Sequence, residues 1–379
     1  MKHYKIPFFD EFECIGSSCP YTCCGVWGIL VDKASVEYYQ NVSDDFGQKL
    51  KAGMYETNGK TYINLDNAGR CPFLDEQNLC EIYRKLGPDR MCQICREYPR
   101  YFWNLGGISY SGLHSSCPEV ARFLFTHSSP LRLVPAEGAS SCQIPEDFDW
   151  ALFNALTNGL SIGISLLTDR TLSFSVRLRL LVLFNNALQE CFDTGTDCSI
   201  LLTSFSSPEN YRSLADTLQA APTNYLARIS LIHHLGALDG LSQVDFLFSP
   251  VVRYLSLHSD LLSEAYGIQQ LFAPFSAAPY TIQYENFAVN YLLNYYMHAY
   301  SSQDPRKVTN ELIYLYCLLS CADAFIAADE NALPDLEKQI EIFSKTARFF
   351  EHGKKNMSLL QKAFRDNGLT ETTTLLSLI

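Results

Sequence analysis

Nine of the fourteen cysteines in this 379-residue chain lie within its first 117 residues, and their spacing is patterned. Cys14, Cys19, Cys23 and Cys24 form C-x4-C-x3-C-C. Cys71 and Cys80 bound CPFLDEQNLC, Cys92 and Cys95 form C-x2-C, and Cys117 sits in SSCPE. Thiolate is a soft ligand, so an all-cysteine array of this density points to an iron–sulfur cluster or zinc. Such a site dictates the fold, because ligand sulfurs far apart in sequence must converge to within about 4–7 Å.

Four thiolates satisfy either a [4Fe–4S] cluster or a Zn(Cys)4 site, and nine fill two sites with one left over. Neighbours such as Cys23 and Cys24 point their side chains apart in most backbones. They therefore serve different metals, or only one of them ligates. The array does not match the paired C-x2-C of zinc ribbons, which favours iron–sulfur over zinc. Buried structural thiols and the disulfides of an exported protein are the competing readings. A thioredoxin-like pair needs a strand before C-x2-C, and RKLGPDRM is not one. A radical-generating cluster wants C-x3-C-x2-C; Cys19 and Cys23 have the first spacing, but Val26 occupies the third position.

The chain is long enough for a large core and two domains. Its hydrophobic fraction is 47%, with 24 Phe and 22 Tyr, which argues against disorder. MKHYKIPFFDEFE has a basic start but no apolar core of seven or more residues, so no signal peptide is expected. The apolar stretch 312–328 carries Ser320 and Asp323 and reads as a buried helix rather than a membrane span. The expected setting is cytoplasmic, where thiols stay reduced. Residues 1–127 hold 13 basic against 15 acidic side chains, and the remainder 16 against 26. An acidic surface repels phosphate backbones, so nucleic acid is not an expected partner; with no membrane span expected, neither is a membrane. Such a surface mildly suits a lysine-bearing partner.

The fold class expected is mainly α: a small cysteine-rich α+β metal-binding domain over residues 1–127, a linker over 128–149, and a larger all-helical domain over 150–379. In the first, GVWGILVD reads as a strand, KASVEYYQNV as a helix, GKTYINLD as a strand and 101–110 as a hairpin. In the last, apolar residues recur at i, i+3 and i+4 over 173–190, 224–241, 251–272, 284–300, 308–328, 334–350 and 354–366. PENYRS, QAAPTN, APFSAAPYT and SSQDPRK read as helix stops.

Three blocks together, FECIGSSCPYTCCGVWGILVDK, RCPFLDEQNLCEIYRKLGPDRMCQICREYPR and SCPEVAR, resemble the flagellin lysine-N-methylase family. The CPFL…CREYP part alone is shared with small zinc- or iron-chelating proteins. YENFAVNYLLNYYM and RFFEHGKKN extend the resemblance thinly into the helical part. It implies methyl transfer from S-adenosylmethionine to flagellin lysines, and a metal cluster on Cys14, Cys19, Cys23, Cys24, Cys71, Cys80, Cys92, Cys95 and Cys117. No glycine-rich strand–turn–helix loop marks a donor pocket. The alternative is a non-enzymatic metal-chelating or scaffold protein whose helical part docks a partner.

Lysine methylation needs a neutral amine, hence a base or a low-dielectric pocket, and aromatic rings to hold a sulfonium. In 284–300, Asn286, Asn290, Asn294 and His298 recur every four residues, with Glu285 at the start. Glu285, Asn290 and His298 are the catalytic candidates, in a pocket expected between the two domains. The competing reading has the Asn and His residues hydrogen-bonding buried loops, with Glu285 stabilising a helix start. Glu351 and His352 follow an apolar helical face. Cys317 and Cys321 read as core, and Cys142, Cys191 and Cys198 show no ligand spacing.

Overall fold

The computed structural model describes residues 2–25, 27–137, 144–236, 244–257 and 265–379. Its strands are β1 (Lys2–Lys5), β2 (Leu30–Val31), β3 (Met54–Thr57), β4 (Lys60–Ile63), β5 (Arg100–Leu105), β6 (Ile108–Leu113) and β7 (Val134–Ala136). Among and after them come helices α1 (Lys33–Asn41), α2 (Asp45–Ala52), α3 (Glu81–Leu86), α4 (Gln93–Glu97) and α5 (Pro118–Thr126). Then follow α6 (Trp150–Thr168), α7 (Phe174–Thr194), α8 (Ser199–Phe205), α9 (Pro208–Gln219), α10 (Tyr225–Gly236), α11 (Asp245–Leu257), α12 (Ala265–Phe272) and α13 (Tyr280–Tyr295). The chain closes with α14 (Ala299–Ser302), α15 (Pro305–Glu330), α16 (Leu336–His352), α17 (Lys354–Asp366) and α18 (Thr372–Ser377).

Two small sheets form in the N-terminal third. One has the order β5-β6-β1-β7, with β1 parallel to β6; the other is β2-β4-β3. The β5–β6 hairpin closes through Gly106 and Gly107, both at positive φ, as a two-residue turn matched to strand twist requires. The expected hairpin at 101–110 is thus present, slightly longer at both ends.

The mainly helical class holds, but a separate cysteine-rich domain over residues 1–127 is not what the core packing shows. Ile6, Phe8, Tyr110, Leu113, Val120 and Leu124 belong to the same buried core as α13 and α16. The β1–β6 layer and α5 therefore pack as part of the helical body. The segment between them has a core of its own, built on Ile29, Tyr39, Phe46, Leu50, Ile63 and Phe73. The stretch expected to be a linker contributes β7, which pairs with β1.

Helices α7, α10, α13, α15, α16 and α17 stand close to where the apolar periodicity puts them. The pattern over 251–272 resolves into the end of α11 and all of α12, and 258–264 lie outside the described residues, as do 237–241 and Cys142. PENYRS does not end a helix. Pro208 occupies the first turn of α9, where its missing N–H costs nothing. Helices α6, α8 and α18 carry no such expectation; α6 starts where Asp149 accepts from the Leu152 N–H. α6 and α15 are long and apolar enough to cross a membrane by length and composition, and α15 is buried through most of its middle.

Candidate functional site

α13 is the axis of the site. Its polar stripe faces the N-terminal layer, and each amide donates to a backbone carbonyl there. Asn286 Nδ2 donates to Leu124 O and His127 O, both at 2.7 Å. Asn290 and Asn294 both donate to Leu113 O at 3.1 Å. Gly112 sits beside them, where an added Cβ would stand 2.5 Å from Asn294 Oδ1. Glu285 is fully buried between two guanidinium groups, 2.8 Å from Arg170 Nη2 and 2.6 Å from Arg177 Nη1. His298 meets the Tyr101 hydroxyl at 2.7 Å. The stripe thus fastens β6 and α5 to α13, and of the catalytic candidates only His298 reaches a cluster of titratable side chains.

That cluster lies where the 114–117 turn meets the ends of α13 and α16. Tyr295 donates to Glu351 Oε2 at 2.7 Å and Ser115 to Oε1 at 3.0 Å. His114 Nδ1 lies 3.0 Å from the Tyr295 hydroxyl. Ser116 Oγ lies 2.7 Å from His352 Nε2 and 3.0 Å from the Tyr98 hydroxyl. Aromatic rings close round it: Trp27 against His352 at 5.1 Å, Tyr101 against His114 at 4.9 Å, and His114 against His352 at 4.8 Å.

Enclosure sets the chemistry of these groups. Burial pushes the Glu351 carboxyl up to about 7. Burial pulls His114 down to about 3 and His352 to about 4, so both rings are neutral at neutral pH. A carboxyl poised near neutrality, with two of its lone-pair sites engaged and two left over, can take a proton from a cationic amine. The electron-rich faces of Tyr98, Tyr101, Tyr295 and Trp27 suit a cation.

The cysteines adjoin this cluster. Arg348 donates to Thr22 O at 2.8 Å, Tyr21 O at 3.0 Å and Ser116 O at 3.1 Å, clamping the Cys19–Cys24 loop beside Cys117. Trp27 Nε1 donates to Cys23 O at 2.7 Å. Cys71 and Cys92 are buried in the small core with Cys24, Cys80 and Cys95 packed against it. The Cys71 N–H donates to Cys24 O at 3.0 Å, tying the C-C pair to the CPFL turn. Cys117 lies in the main core, at the start of α5, and Cys14 is exposed.

Within the N-terminal array, among the described residues, two thiol pairs are in hydrogen-bond contact. The bond from Cys23 holds Cys24 down at about 7, and the same bond with burial drives Cys23 far up. Cys92 is held down by Cys95, which is itself raised by that bond and by burial. Burial pushes Cys71 and Cys117 each up to about 12. Cys23 has Cys14 and Cys117 as electrostatic neighbours, and Cys71 has Cys24, Cys80 and Cys92. Among the described residues no three His, Cys, Asp or Glu side chains stand arranged to hold a metal ion. The donor chemistry suits a soft metal, and the sulfurs are gathered as pairs.

Sequence reasoning passed over Tyr98, Tyr101, His114, Tyr295 and Trp27. A signal was present in GLHSSCPE, where a histidine and two serines directly precede the last cysteine of the array. What joins them to Glu351 is the close of a gap of more than 200 residues, which no local pattern encodes.

Residues 161–378 match the family model described as the FliB lysine N-methylase C-terminal domain. Over 119 residues, 30% of this chain, it is 31% identical to the flagellar biosynthetic protein FliU of Salmonella muenchen and spans 70% of that protein. It is also 31% identical over 119 residues to the lysine-N-methylases of Salmonella typhimurium and Salmonella choleraesuis, but spans only 30% of their length. No solved structure matches.

Proposed function

Because this chain belongs to the FliB lysine N-methylase family, we propose that it methylates lysine side chains of flagellin in the cytoplasm, with S-adenosylmethionine as donor. One observation carries the placement of the chemistry: Glu351, pushed up to about 7, stands within a ring of aromatic and neutral histidine side chains between the cysteine region and the helical body. The donor supplies an electrophilic methyl group, which leaves sulfur as a bond forms to the lysine nitrogen. Glu351 takes the proton that the ammonium must lose before it becomes a nucleophile. Tyr295 and Ser115 fix that carboxylate. Tyr98, Tyr101 and Trp27 offer π-faces to the positive charge and keep water out.

The cysteines would hold an iron–sulfur cluster, with Cys24, Cys71, Cys80, Cys92 and Cys95 the set gathered on one core. A neutral amine is already a nucleophile, so such a cluster would organise the segment carrying Trp27 rather than take part in the transfer. The test is anaerobic purification with iron, sulfide and zinc analysis, followed by incubation with isotopically methyl-labelled S-adenosylmethionine and flagellin. Label on flagellin lysines by mass spectrometry supports the reading. An unlabelled flagellin with a metal-replete protein would overturn it and leave a chelating or scaffold role.

A further inference from the structure

A cavity of about 370 Å³ lies between the first turns of α15, one face of α17 and the start of α18. Its wall includes Arg306, Lys307, Asn310, Gln361, Arg365 and Glu371. Three cations, Arg306, Lys307 and Arg365, share this wall with two carboxylates, Asp304 and Glu371. Arg306 is engaged by Asp304 at 3.4 Å and, more distantly, by Asp193 at 3.7 Å. Among the described residues, no carboxylate forms an ion pair with Lys307 or Arg365. Asp304, also on the wall, is occupied as the cap of α15, accepting from the Lys307 N–H.

The same wall needs a donor as well as an anion. Asn310 carries a buried side-chain oxygen with no hydrogen-bond partner among the described residues. An orphaned buried acceptor is destabilising unless something donates to it. Glu371 adds a negative charge near that acceptor's wall. Cations for a carboxylate and acceptors for an ammonium, in a space of ligand size, describe one kind of molecule.

We infer that this cavity binds the α-ammonium carboxylate end of a small molecule, with Lys307 and Arg365 on the carboxylate and Asn310 and Glu371 on the ammonium. The cavity is not isolated from the candidate catalytic cluster. Gln361 donates to Glu311 at 2.6 Å, and Glu311 accepts from the Tyr291 hydroxyl at 3.1 Å. The Tyr291 ring packs against Tyr295 at 4.8 Å, and Tyr295 holds Glu351. Two sources supply this chemistry: a free amino acid, or the amino-acid end of S-adenosylmethionine. The second source alone rests on the methyl-transfer reading.

Calorimetric titration of the full chain with S-adenosylmethionine, L-methionine, L-methionine methyl ester and inorganic phosphate tests this. Binding of either of the first two is expected, with the ester at least tenfold weaker. Lys307→Gln and Arg365→Gln, both exposed positions, should each weaken binding about tenfold, with circular dichroism unchanged. Methionine binding would identify a free amino acid as sufficient; S-adenosylmethionine binding alone would identify the donor. Failure of both to bind, equal binding to the two charge variants, or phosphate binding as tightly would overturn the inference. Ligand binding without label on flagellin would instead count against the methyltransferase and leave this site standing.

Discussion

Tyr295 donates its hydroxyl hydrogen to Glu351 across 2.7 Å, and this bond joins the end of α13 to the end of α16 at the point where the 114–117 turn arrives. It fixes one face of a carboxyl whose other oxygen accepts from Ser115. The candidate base is therefore oriented by two separate parts of the chain.

Glu351→Gln should reduce methyl transfer about a hundredfold or more, the usual scale for loss of a general base. In the wild type the rate should rise with pH through about 7, as the carboxyl ionises. Label incorporated into flagellin across pH 5–9 checks both. A variant with wild-type rates removes Glu351 from the mechanism.

The same group predicts a stability trend of opposite sign. Its folded-state value is raised from 4.5 to about 7, so the stabilisation it provides is complete below about pH 4.5 and lost as pH rises through about 7. From pH 5 to 8 the wild type should lose on the order of 2 kcal/mol relative to Glu351→Gln. His114 and His352 are depressed and act in the other direction, but both are present in each protein and cancel in the difference. Urea unfolding of the pair at several pH values measures it.

Replacing Cys92 and Cys95 together with Ser should release metal and loosen the small core, in which Cys92 is buried and Cys95 packs at the margin. The helical body, with its separate core, should keep much of its circular dichroism. Iron and zinc content per chain is the readout. Full retention would show that this pair does not ligate.

Asn286→Ala should cost about 2–3 kcal/mol, because it leaves the carbonyls of Leu124 and His127 buried without their donor. Asn286→Asp should cost more, since a carboxylate would face the same two carbonyls. Denaturant midpoints of the two variants order them.

Glu285→Gln should lower stability by about 3 kcal/mol, since Arg177, and in part Arg170, lose the charge that offsets their burial. Methyl transfer per folded molecule should stay within severalfold of wild type. A hundredfold loss in the folded variant would instead return Glu285 to the mechanism.

The helical periodicity and the two-glycine hairpin are local signals, and the fold respects both; among the nine patterned cysteines it brings two pairs into side-chain contact. Spacing marked the cysteines as a patterned array, while the sequence blocks around them carried the family resemblance. It also marked the Asn stripe of α13 as polar residues on a buried face, though not what they hold. That was decided by tertiary structure: the carbonyls of Leu113, Leu124 and His127 lie more than 150 residues away in sequence. PENYRS reads as a stop yet opens α9, because a proline ends one helix and begins another with equal ease, and hydrogen-bond context distinguishes them. Glu285 and Glu351 show the same limit for charge. Both are glutamates on helices, yet one is enclosed by two guanidinium groups and the other by rings and hydroxyls. Sequence determined which chemical groups this protein owns; burial and partner, which set a carboxyl's charge, exist only once distant segments have packed together.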